Sequence, residues 1–265
     1  MDLDFTEDDI QRYSRHILLN EVGGAGQARL RAARVLVVGA GGLGSPVMLY
    51  LAAGGVGTIG VVDDDVVELS NLQRQVIHGM GSLGESKVVS AAVTVRGINP
   101  GVQVITHRTR LNRFNAHELI SQYDLVCDGS DNFPTRFLVA DACVAARRTL
   151  ISAAVLRFEG QLSVFKPHSG PGFPCYRCLY PEAPPDGLVP SCAEAGVLGA
   201  VTGVMGTLQA TEAIKEILAI GESLAGRLLI WDALATTFRT VRFQPIPECP
   251  TCARSHASPV TSHAV

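Results

Sequence analysis

Gly39, Gly41 and Gly44 write G-x-G-x-x-G between two apolar runs, VLVV and SPVMLYL, with Gly42 inside the motif. Glycines so spaced permit a tight strand-to-helix turn and let backbone N–H groups approach a phosphate at a helix N-terminus. Asp63 ends the next apolar run, about twenty residues on, where an acid binds ribose hydroxyls. Asp65 stands beside it. The residues that follow suggest what is done to the nucleotide. SNLQRQ supplies Ser70, Asn71, Gln73 and Arg74; Lys87 comes next; CDGSDN supplies Asp128, Asp131 and Asn132. Amides and hydroxyls hydrogen-bond phosphate oxygens, and Arg74 and Lys87 offset the charge developing on a leaving pyrophosphate. A carboxylate such as Asp131 suits Mg²⁺, which takes few protein ligands and keeps waters. Asp128 and Asp131 also precede the helix NFPTRF, and one of the two is expected to cap it. The set suggests ATP held with its α-phosphate open to attack. A nicotinamide dehydrogenase would use the same glycine loop but leave SNLQRQ and Lys87 without a purpose.

The seven cysteines carry a second chemistry. Cys175-Tyr-Arg-Cys178 and Cys249-Pro-Thr-Cys252 are two C-x-x-C pairs in turn-prone, proline-containing segments. Four thiolates from two such knuckles suit a closed tetrahedral Zn²⁺ site, structural and not catalytic, which would pin the end of the chain to its middle. The rival is a redox pair, and the second pair and the lack of a thioredoxin-like context weigh against it. Cys127 and Cys143 sit in apolar surroundings and are expected to be inert core. Cys192, in VPSCAEAG, follows a Pro-rich loop near a helix start, where a thiol is more easily ionised. An ordinary loop cysteine is the alternative. His16, His78, His107, His117 and His168 show no ligand spacing and are expected at the surface or at caps.

The elements that must position these groups alternate. The polar stretch 5–31 is helical, opening on a Thr-x-x-Asp start. Strand, turn, helix and strand then run from Arg34 to Asp63. GESKVVSAAVTVRGINP is a helix closed by Gly97 and Pro100, VQVITHRTR and YDLVCDGS are strands, NFPTRFLVADACVAARR is a helix and TLISAAV a strand. This order predicts an α/β, Rossmann-like, doubly wound, mostly parallel sheet. FEGQLSVFKP and RLLIWDALATTFRTVRF continue it as antiparallel strands, with a long helix over GVLGAVTGVMGTLQATEAIKEILAIG ending at Gly221. The expected organisation is one domain over 5–252, with a nucleotide-binding half at about 34–155, a partner-binding and zinc-knuckle half at about 156–252, and a flexible tail at 253–265.

Bulk properties exclude other classes. With 265 residues, 47% hydrophobic, and a net charge of -3, the chain is a well-buried globular protein without a global basic field for nucleic acid. Residues 35–62 carry no charge, but they hold eight glycines and a proline and break into strand, helix and strand, so no membrane span is expected. The acidic N-terminus lacks a signal-peptide layout, which points to the cytoplasm.

GAGGLGSP, SNLQRQ, SDN, EGQ and CYRC, in this order, resemble the ThiF/MoeB/HesA family of sulfur-carrier adenylyltransferases, bacterial relatives of ubiquitin-activating enzymes, from about Tyr13 to Cys252. The resemblance implies ATP on the glycine loop and Asp63. It implies phosphate contacts from Asn71, Arg74 and Lys87, and Asp131 serving Mg²⁺ and the reaction centre. Arg15, in RYSRH, matches an arginine that reaches into a neighbouring subunit's ATP site, which implies a homodimer. Cys192 matches a cysteine that links covalently to the carrier in some members. The implied reaction is adenylation of the C-terminal Gly-Gly carboxylate of a small ubiquitin-like sulfur carrier, with pyrophosphate released. A separate sulfurtransferase is expected, because the chain ends just after Cys252. The stretch CAEAG leans towards molybdopterin as the pathway, with thiamin or another thiolated product as alternatives. A non-catalytic scaffold that docks a carrier is the competitor from another class.

Overall fold

The computed structural model describes residues 5–185, 188 and 195–253. Its centre is one eight-stranded sheet, ordered β3-β2-β1-β4-β5-β6-β7-β8. The parallel part comprises β1 (Arg34–Val38), β2 (Thr58–Val62), β3 (Gln103–His107), β4 (Leu125–Asp128) and β5 (Thr149–Leu156). The antiparallel continuation is β6 (Glu159–Phe165), β7 (Arg227–Asp232) and β8 (Thr237–Arg242). The predicted doubly wound sheet with an antiparallel extension is therefore present.

Two helical layers cover the sheet because the strands alternate. Val35 and Val37 enter one core with α3 (Gly44–Ala53), α4 (Lys87–Ile98) and α8 (Gly199–Leu218). Leu36 and Val38 enter the other with α5 (Ala116–Ser121), α6 (Phe133–Ala145) and α7 (Tyr176–Leu179). Strands buried on both faces read as continuous apolar runs, which is why VLVV and TIGVV lack polar alternation.

Three boundaries differ from the sequence reading. The helical stretch 5–31 is two helices, α1 (Glu7–Ile17) and α2 (Gly23–Ala32), because Gly23 turns back at φ +58. Thr6 and Asp9 form the expected capping box on α1. The long helix α8 stops three residues short of the expected Gly221: Ala219 takes the left-handed cap at φ 52, and Arg29 donates from both terminal guanidinium nitrogens to the last carbonyls, Ile217 and Leu218. The cap of α6 is Asn132, whose side chain accepts from the Thr135 N–H, so neither Asp128 nor Asp131 has that role. Among the described residues no helix is long and apolar enough to cross a membrane. Residues 254–265, most of the expected tail, and Cys192 lie outside the described residues.

Candidate active site

The strand order reverses between β1 and β4, and a ligand crevice forms at the carboxyl ends of strands at such a switch point. A cavity of about 350 Å³ lies there. Its wall takes Gly39, Gly41 and Gly42 from the β1 turn, Asp63 and Asp65 from the end of β2, and Asp131 and Asn132 from the end of β4. Arg74 and Lys87 are the other predicted residues on the wall.

The glycine loop is fixed from three sides. Gly39 sits at φ +86 with Gly129 packed against it, and a Cβ at Gly44 would collide with the Gly39 carbonyl. Gly44 is thus needed for the turn and is not on the cavity wall. Asp63 accepts the Ala40 N–H at 2.8 Å and the Asp65 N–H at 2.9 Å, so it braces the loop from the next strand. From below, His78 donates from Nε2 to the Ala40 carbonyl at 2.9 Å, while Nδ1 lies 2.9 Å from the Ser90 hydroxyl. His78 is buried, contrary to its expected surface position. Burial holds its imidazole below the usual range, reinforced by Lys87 and opposed by the bond to Ala40 and by Asp63. A buried ring with two fixed partners is invisible to ligand spacing.

The charged groups divide over the wall. Lys87 opens α4, is buried, and pairs with the more exposed Asp65 at 2.8 Å. Arg74 is half-buried and donates to the Ser70 carbonyl at 3.1 Å. Asp131 is exposed, whereas Asp128 is fully buried and accepts from the Ser130 N–H and the Ser152 hydroxyl. Asp128 therefore holds the β4 turn, and Asp131 faces the crevice. Gln75, Ser130, Arg136 and Thr202 also line the cavity. No motif or spacing singles them out, since tertiary closure brings them there. Thr202 arrives on α8, which Gln209 anchors by donating to the Asp128 and Ile151 carbonyls.

Other predicted residues lie off the wall. Asn71 is buried and accepts the Glu68 N–H, Ser70 offers its hydroxyl to Glu68, and Gln73 packs at the start of α8. They brace the segment that carries Arg74. Arg15 is exposed on α1 and does not line this chain's cavity.

The four paired cysteines meet at a separate place. Cys175 stands at the N-cap of the short α7 and Cys178 within it, and the four Sγ atoms lie within 4.8 Å of one another. Neighbouring sulfurs are 3.5, 3.6 and 3.8 Å apart. A tetrahedron with Zn–S bonds of about 2.3 Å has edges of about 3.8 Å, so the cage fits Zn²⁺. Burial and the neighbouring sulfurs push the Cys175 thiol up. Burial pushes Cys249 the same way, but backbone N–H donors outweigh it and bring that thiol down. Cys127 and Cys143 are buried, with thiols raised by burial, as expected of inert core.

Residues 13–251 match the ThiF family. A Haloferax volcanii protein named SAMP-activating enzyme E1 is 52% identical, over 95% of this chain and 91% of its own length. A Thermus thermophilus sulfur carrier protein adenylyltransferase is 49% identical, over 94% of this chain and 92% of its own. Relatives named adenylyltransferase and sulfurtransferase are longer, and the chain spans 54% of the one from Bos taurus. Among solved structures, the crystal structure of E. coli MccB aligns with a TM-score of 0.80 at 23% identity, over 93% of this chain and 73% of that one, a likeness of fold.

Proposed function

This chain belongs to the ThiF family, and from that premise we propose that it adenylates the C-terminal Gly-Gly carboxylate of a small ubiquitin-like sulfur-carrier protein. The observation that carries the reading is the cavity at the sheet's switch point, walled by a glycine loop, the cations Arg74, Lys87, Arg110 and Arg136, and facing carboxylates. The names of the Haloferax and Thermus relatives supply the substrate class.

In this reading the glycine loop offers its N–H groups to phosphates, held in shape by Asp63 and His78. Arg74 and Lys87 balance the triphosphate and the pyrophosphate that leaves. The carboxylate oxygen attacks the α-phosphorus, the bond to the pyrophosphate oxygen breaks, and an acyl-adenylate results. Catalysis rests on positioning and charge, because no proton moves in that step. Asp131, with the nearby Asp63–Asp65 carboxylates, suits Mg²⁺, which would screen the phosphates. Cys175, Cys178, Cys249 and Cys252 would hold a structural Zn²⁺.

The molecule acts as a homodimer in which Arg15 completes the partner's site. Two features support this: Arg15 is exposed and away from its own cavity, and Leu18 and Leu19 after α1, Tyr50 on α3, and Val89 and Val93 on α4 expose apolar side chains. A separate sulfurtransferase then delivers sulfur as a persulfide, which displaces AMP from the acyl-adenylate to give an acyl disulfide that a thiol reduces to the thiocarboxylate, and molybdopterin is the expected pathway. Capture of the native partner on this protein tests both points. A Gly-Gly protein of the molybdopterin route is the expected catch; one from the thiamin route overturns the pathway.

A further inference from the structure

Arg136 is a buried cation without an anion of its own. It stands in the first turn of α6, 9% exposed, on the cavity wall. Its Nη2 donates to the Ser130 carbonyl at 2.6 Å, and none of the ion pairs among the described residues includes it. Its nearest buried acid, Asp128, is committed to the Ser130 N–H and the Ser152 hydroxyl. Ser130, 8% exposed on the same wall, has a buried Oγ with no partner. A guanidinium withdrawn from water needs a carboxylate or phosphate to offset the loss.

The position of Arg136 separates it from the other cations of the wall, of which Arg110 is exposed. Lys87 lies on the β2–α4 side, paired with Asp65, and Arg74 follows Asn71 in the preceding segment. Arg136 follows β4 and backs onto Tyr176 of α7, where the sheet is about to turn antiparallel and the second half of the chain begins.

We infer that Arg136, with Ser130, binds the C-terminal carboxylate of the carrier and aims it at the α-phosphorus. The inference rests on the adenylation reading above. The planar guanidinium matches a carboxylate in a way an ammonium does not. Pairing is strongest before attack, since the carboxylate's charge is lost as the oxygen bonds to phosphorus and the electron pair of the broken bond leaves with pyrophosphate. Arg136 therefore acts mainly on carrier binding and less on turnover.

The test uses the full chain and two versions of one carrier, ending in Gly-Gly acid or in the Gly-Gly carboxamide. Binding is measured by calorimetry without ATP, and exchange of pyrophosphate with ATP is measured with the acid. The wild type should prefer the acid by about ten- to a hundred-fold, the scale of a charge-assisted pair. Arg136→Gln should bind both forms alike, with a raised KM for the carrier and an unchanged KM for ATP. Arg136→Lys should recover part of the preference, and Ser130→Ala should lose part of it. Acid preference retained in Arg136→Gln, or a raised ATP KM with preference intact, overturns the inference. So does a wild type that exchanges but does not prefer the acid, a result needing no variant to fold. A wild type without carrier-dependent exchange overturns the adenylation reading itself.

Discussion

Lys87 is a buried ammonium whose partner Asp65 stands largely in solvent, with side-chain exposures of 7% and 67%. A preorganised cation so placed faces the cavity at little cost of reorganisation when a triphosphate arrives. Lys87→Ala should lower exchange activity by about a hundred- to a thousand-fold, the usual effect of losing one such electrostatic group. Asp131→Ala should abolish exchange while leaving the melting temperature within a few degrees, since Asp131 is exposed and caps nothing; activity like that of the wild type would remove Asp131 from the reaction centre. The residues at strand ends were legible because a motif's spacing follows the strand that carries it. Which side chains of SNLQRQ face inward was not legible. Arg74 reaches the wall, while Ser70 and Asn71 bond their own segment and Gln73 packs at the start of α8. Arg136 and Thr202 were missed because only tertiary closure brings them to the crevice.

The glycine loop shows the same limit at the scale of elements. Its turn and helix follow from the glycines, but the brace beneath it comes from His78, which no pattern marks. His78→Ala should raise the KM for ATP more than it lowers turnover, and His78→Gln, which can restore a donor near the Ala40 carbonyl, should recover part of the loss. Equal KM values in wild type and alanine variant would make His78 mere packing. Burial lowers His78, His107 and His168 below the ordinary histidine value of about 6.5. The unfolded chain then takes up protons at a higher pH than the folded one. Their contribution to stability is full above about pH 6.5 and falls as the pH drops through the folded values. The melting temperature should decline from pH 7 to pH 5, and less steeply in His78→Gln. An identical decline in both would exclude His78. The cysteine cage was legible as two knuckles, and the distances between its sulfurs fit one ion. Cys178→Ser should lose the zinc and melt well below the wild type, because the cage fastens segment 246–252 to α7. A zinc-free wild type of equal stability would contradict this.

At the scale of the molecule, one sheet runs throughout, parallel strands ending on the crevice and antiparallel strands extending beyond it. The doubly wound sheet and its antiparallel extension were legible from alternating elements, whereas the strand order and the close of α8 at Ala219, where Arg29 reaches across from α2, were not. If Arg15 serves the neighbouring subunit, inactive Arg15→Ala and Lys87→Ala proteins should complement each other on subunit exchange. Each mixed dimer keeps one intact site, so a random mixture should regain roughly a quarter of wild-type activity. No recovery despite exchange would place Arg15 outside the composite site. The most direct test of the whole account is isotope exchange between pyrophosphate and ATP. Exchange should require the Gly-Gly carrier and vanish when the carrier's terminal carboxylate is blocked as an amide. Exchange that proceeds without the carrier, or that the blocked carrier supports equally well, would contradict adenylation of that carboxylate.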